Sequence, residues 1–292
     1  MLITLCLAVA LGALLWIPAT QLRHAWQERQ EVNRASERVA AWPQGRIAQE
    51  FERAQAYNRT IATGDQGVLG EAPDPFLPAQ ASGSSGASLA SRDRDYQQAL
   101  DTGDGLMGSI RIPKISVNMP IYHGTSDRSL SLGAGHLYGT SLPVGGASTN
   151  AVITGHRGLP GALLFTRLDE LKTGDVFYVN TLGRTMGYRI EGIHVVDPDD
   201  AHFYTVVKGQ DLVTLMTCTP YGVNTQRLVI TGRRAPIPRS IPEPEHGPQD
   251  ALLRSWAIGL FAGIIGIIAL ACCQRREMVV RHRRISRGSH SA

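Results

Sequence analysis

The chain has 292 residues, 43% of them hydrophobic, and a formal net charge of +4. That charge is local: from Gln274 onward six arginines stand against one glutamate, so the tail carries +5 and everything before it −1. A near-neutral body has no bulk attraction for nucleic acid, and that partner class is set aside.

In chain order, the first element is the apolar run from Leu2 to Ile17. Residues 1–20 read as a signal peptide or a signal-anchor helix. Almost nothing precedes Leu2, and Arg23, Arg29, Arg34 and Arg38 follow, which on the positive-inside count runs against an exported body. From Arg46 to Ala62, Ile47, Phe51, Ala54 and Asn58 recur at near-helical spacing, so a helix is expected there. Gly64 to Ser91 shifts to Gly, Pro, Ser and Ala and includes Asp74-Pro75-Phe76; a loop of that length is functional or disordered. A short helix is expected over Asp95–Asp101, closing an N-terminal helical and loop region at residues 45–105.

Residues 106–236 turn to β-like runs punctuated by Gly and Pro: AsnAlaValIleThr, AspValPheTyrVal, TyrArgIleGluGlyIleHisValVal, AspLeuValThrLeuMetThr and ArgLeuValIleThr. Only Leu163 to Leu171 reads as a helical segment, with Leu164, Leu168 and Leu171 on one face. Many short strands and few helices predict a mainly β fold, a closed or nearly closed barrel. Pro- and Glu-rich residues 237–251 form a linker. Trp256 to Cys273 is uncharged and, at about 1.5 Å per residue, nearly fills a hydrocarbon core of roughly 30 Å; the expected transmembrane helix is 252–273, with Arg254 snorkelling. The alternative is a buried core helix. The arginine-rich tail, 274–292, argues for a cytoplasmic C-terminus and hence an extracellular body if the N-terminus is also inside.

Of four cysteines, Cys6, Cys272 and Cys273 lie in the terminal apolar runs, and Cys218 alone lies in the body. Without a partner it is either a buried small hydrophobe or a reactive thiol. Leu212, Thr214, Met216 and Cys218 share one strand face, and ThrProTyrGly stops the strand directly afterwards. Arg227 heads the return strand at the same end. It is either a surface cation or a guanidinium that favours thiolate and donates to an oxyanion. For a base, His156 ends an apolar strand between glycines; His123, His136, His194 and His202 are competitors.

The run ThrLeuMetThrCysThrProTyrGlyValAsnThrGlnArgLeu, residues 214–228, resembles the signature of the sortases, membrane-anchored cysteine transpeptidases of Gram-positive cell surfaces. ThrGlyHisArgGlyLeuPro, 154–160, resembles their histidine segment. GlyHisLeuTyrGlyThrSerLeuProValGlyGly and IleProLysIleSerValAsnMetProIleTyrHisGlyThrSer resemble the class C, pilin-polymerising branch. The likeness runs from about Gly108 to Arg234. It implies a sortase-type barrel with Cys218, His156 and Arg227 as the catalytic set and no metal or cofactor. It also implies that Asp74, Pro75 and Phe76 form a lid over the active site, Asp74 pairing with Arg227 and Phe76 covering the thiol.

The implied reaction is cleavage of an LPXTG-like sorting signal between Thr and Gly through a thioester, then transfer to a pilin lysine. The implied partners are pilin subunits and the membrane. A housekeeping sortase acting on cell-wall precursor, a hydrolytic cysteine protease and a non-catalytic pilus scaffold are the alternatives.

Overall fold

In the computed structural model, alternating apolar residues and intervening glycines build eight strands: β1 (Leu106–Ile112), β2 (Val117–His123), β3 (Ala134–His136), β4 (Thr149–Thr154), β5 (Val176–Thr181), β6 (Arg184–Val196), β7 (Asp211–Thr219) and β8 (Gln226–Ala235). They close into a barrel in the order β1-β2-β3-β4-β7-β8-β6-β5. β2–β3 and β4–β7 are parallel; the other pairs are antiparallel. Closure leaves no open sheet edge. The mainly β expectation holds.

The structure describes residues 2–64, 89–158 and 162–242, together with Gly259, Phe261, Gly263 and Gly266. Asp74-Pro75-Phe76 and most of the 252–273 run therefore lie outside the described residues. Two compact units divide the chain, residues 1–19 with 246–292 and residues 20–245. Among the described residues, no helix is long and apolar enough to cross a membrane.

Helix α1 covers Leu2–Ala40 and α2 covers Gln44–Thr63, bracketing the helix expected from Arg46. In the larger unit, Ala35 of α1 packs with Leu106 and Tyr122. Phe51, Ala54 and Asn58 of α2 are buried, as their spacing predicts. Asn58 is polar yet pays no desolvation penalty, because its amide pairs both ways with the Leu142 backbone: Nδ2 donates to the carbonyl at 3.0 Å and Oδ1 accepts from the N–H at 2.7 Å. Two short helices follow, α3 (Leu89–Arg92) and α4 (Arg94–Gln98), and a third, α5 (Asp127–Leu132), precedes β3. Asp93 caps α4 by accepting from the Tyr96 N–H at 3.0 Å, and Ser126 caps α5 by accepting from the Ser129 N–H at 3.2 Å.

The helical reading of 163–171 is corrected. The chain makes turns there and then a 3-10 turn at Leu168–Glu170. Leu164 takes a left-handed φ of 38°, which breaks helical continuity. Leu164, Leu168 and Leu171 still bury in the core, so the apolar spacing is satisfied without a helix.

Candidate active site

Parity on β4, β7 and β8 separates two apolar layers. Ala151, Ile153, Val213, Leu215, Leu228 and Ile230 fill the main core. Val152, Met216 and Val229 face the other way, in a smaller cluster with Leu137 and Tyr204. Cys218 continues the Met216 row and Arg227 the Val229 row, and the two are direct register partners across β7 and β8. On the other side, β4 runs parallel to β7 with Thr154 opposite Met216. Two residues further along each chain stand His156 and Cys218. Three sequence-distant side chains thus converge at one end of the barrel.

Backbone contacts fix the His156 position. Gly155 N–H donates to the Met216 carbonyl at 3.1 Å, the Thr217 hydroxyl donates to the Gly155 carbonyl at 2.7 Å, and Phe165 N–H donates to the His156 carbonyl at 3.1 Å. A Cβ on Gly155 would lie 2.8 Å from the buried Phe165 ring, so that ring needs glycine beside the histidine.

Cys218 is a free, buried thiol, 3% exposed. Burial pushes its pKa up to about 12, against a smaller lowering by the Arg157 charge. His156 is half-buried, and burial lowers its pKa, while the charge of Asp127 at the start of α5 acts in the opposite sense. Burial thus favours the thiol at Cys218 and the neutral imidazole at His156. Arg227 is 2% exposed; its Nη1 donates to the carbonyls of Asn224 at 3.0 Å and Gln226 at 2.8 Å, and burial lowers its pKa. Those bonds tie the guanidinium to the turn between β7 and β8.

The competing histidines are placed elsewhere. His136 is fully buried, with Tyr96 Oη 2.9 Å from Nδ1 and the Ser141 carbonyl 2.8 Å from Nε2; burial lowers its pKa to about 4. The His123 ring is held between the Ala99 and Gly105 carbonyls at 2.8 and 2.9 Å. His194 stacks on Phe203, and His202 meets the same ring edge-on. Sequence reading passed over Arg157, although it lies in the histidine segment itself. Its Nη1 donates to Thr219 Oγ1 at 3.0 Å, next to Cys218, and its Nη2 to Asp169 Oδ2 at 2.5 Å.

Comparison with known proteins identifies the family. A sortase domain profile matches residues 110–235. The solved "Sortase C1 of GBS Pilus Island 1" is 36% identical with a TM-score of 0.63, covering 74% of this chain and 96% of that one. Sortase C-1 from Actinomyces oris is 45% identical with a TM-score of 0.58, covering 66% of this chain and 99% of that one. Sortase A of Streptococcus agalactiae serotype III is 30% identical over 128 residues, 43% of this chain; the chain spans only 51% of that curated relative's length. Its structural neighbours are thus class C sortases, and the chain belongs to the sortase family, a family of cysteine transpeptidases.

Proposed function

We propose that the chain is a membrane-anchored cysteine transpeptidase of the class C kind, joining an LPXTG-like sorting signal to a pilin lysine. The observation that carries this reading is the register that sets Cys218 opposite Arg227 with His156 at the same end of the neighbouring strand. In the first half-reaction Cys218 Sγ attacks the Thr carbonyl carbon while its proton passes to His156. Arg227 donates to the oxyanion as charge develops there. His156 then gives its proton to the departing Gly amine, leaving a thioester. In the second half, the lysine amine attacks the thioester and loses its proton to His156; collapse forms an isopeptide bond and returns the thiol. The two titrations act as a coupled pair.

Asp74, Pro75 and Phe76 are proposed as a lid that shifts before the sorting signal enters. The apolar run at Leu2–Ile17 and that at 252–273 are proposed to hold the body on the outer face of the membrane with the basic tail inside, which raises the local concentration of exported substrates. A second reading, a housekeeping sortase acting on cell-wall precursor, has one observation in its favour: curated relatives include sortase A proteins.

The test is intact mass of the full chain after incubation with an LPXTG-type peptide, with and without a lysine-bearing pilin fragment. We expect an adduct equal to the peptide minus its Gly segment, absent in Cys218→Ala, enlarged in Asp74→Ala/Phe76→Ala, and consumed to a joined product by the pilin fragment. An adduct discharged by a cell-wall-type amine but not by the pilin fragment would favour the second reading. An equal adduct on Cys218→Ala would overturn both.

A further inference from the structure

We propose that Arg157 is a positioning residue for the Cys218 nucleophile: it clips the His156 loop to Thr219, the residue after the cysteine, and so brings a fixed positive charge to that end of the strand. This rests on the reading of Cys218 as nucleophile and adds a fourth member to the set. Through Nη1 it holds Thr219, the residue after the cysteine, and through Nη2 it holds Asp169, just inside the 3-10 turn at Leu168–Glu170. Three segments that meet at the site are thereby joined by one side chain, 7% exposed. The face of Tyr221, in the turn after the cysteine, lies 5.9 Å from the guanidinium carbon.

Structural bonding alone does not account for this burial. The Arg157 Nε is buried with no hydrogen-bond partner among the described residues, so desolvation of the guanidinium is only partly offset. Asp169, its ion-pair partner, is half exposed, and solvent screens that pair. What the position does offer is charge near a thiol that burial otherwise holds protonated. Of the other ionisable groups at this end of the barrel, Arg227 comes from β8 and the neutral His156 from the loop after β4. Arg157 is the cation whose field favours the thiolate, with Asp169 behind it as a partial counter-charge.

The sign of two opposite substitutions separates an electrostatic role from a mere clip. Arg157→Ala removes the cation, so the pH midpoint for iodoacetamide alkylation of Cys218 should move up. The rate at neutral pH should fall roughly threefold to tenfold, since one unit of midpoint is a factor of ten in thiolate. Asp169→Asn keeps the cation and removes its counter-charge, so the midpoint should move down. Arg157→Lys should restore part of the effect, because an ammonium supplies charge without the guanidinium fork.

The readout is the pH profile of alkylation on the full chain, with the modified residue identified by mass and folding checked by circular dichroism. Midpoints displaced in opposite directions support the proposal. Displacement of both in the same direction, or an unchanged Arg157→Ala profile in a folded chain, overturns it. Failure of the nucleophile reading would show differently, as a peptide adduct that survives Cys218→Ala.

Discussion

Two histidines preceded by glycine belong to adjacent stretches of this barrel, one on β3 and one just past β4, and their surroundings differ. His136 on β3 pairs with Ile153 of β4, whereas His156 lies three residues further on, past the end of that strand. His136 points into a closed polar knot: Tyr96 and Ser141 occupy its two ring nitrogens, and Gly124 N–H donates to the same Tyr96 oxygen at 2.9 Å. That knot fastens α4, where the chain returns to the barrel after the Gly- and Pro-rich stretch; Tyr138 adds a hydroxyl donated to Asp93 at 2.9 Å. His156 instead stands half-buried past the end of β4, at the barrel end that carries Cys218 and Arg227. Residue type and local glycine are the same at both positions. Burial and hydrogen-bond completion are what differ, and the proposed function assigns the chemistry to the less buried ring.

Substitution of the two histidines should have opposite consequences. His156→Ala should lower thioester formation by about 10²- to 10⁴-fold with stability little changed, the range associated with loss of a general acid–base group. His136→Gln should leave adduct formation per folded molecule unchanged. A His136→Gln chain that folds but forms no adduct would reverse the assignment; peptide-adduct mass against melting temperature reads both.

The second effect is on pH. His136 is held neutral in the fold, its pKa pulled from the ordinary 6.5 to about 4. Stability is thus intact above about pH 6.5 and falls as pH drops toward 4, because the unfolded chain takes up the proton that the fold refuses. The loss approaches roughly 3 kcal/mol for a shift of this size. Denaturant titrations of the wild type at pH 7, 5 and 4 should trace this limb, and His136→Gln should flatten it. A wild-type curve that stays level to pH 4 would contradict the burial assigned to this ring.

The barrel was legible because its strands carry their own punctuation: period-two apolar runs ended by Gly and Pro say β regardless of context. Strand alternation and the ThrProTyrGly stop placed Cys218 and Arg227 at one strand end, and the structure puts them in register on adjacent strands; their proposed roles came from the motif resemblance. The strand-to-glycine setting favoured His156 over His136 but could not show that Tyr96, 40 residues away, occupies the His136 ring. Arg157 was passed over because its partners, Thr219 and Asp169, come from other segments. The helix misread at 163–171 failed for a related reason: leucine spacing reports burial, which the turns supply equally well.

Smaller effects sharpen the same contrast. Tyr96→Phe removes a hydroxyl that bonds His136 and Gly124 in a fully buried site, and should cost about 1–3 kcal/mol with the chemistry intact. The smallest effect is expected at Thr154, on the face that leads to His156. Thr154 is fully buried, and its Oγ1 has no hydrogen-bond partner among the described residues. Valine has nearly the same shape and favours the strand equally, so Thr154→Val removes an unsatisfied polar atom without opening a cavity. We expect stability to rise by about 0.5–1 kcal/mol by denaturant titration, with adduct formation unchanged. A loss of stability would show that the hydroxyl is bonded. A gain in stability accompanied by slower adduct formation would place this oxygen in the machinery of the catalytic end rather than in the wall that supports it.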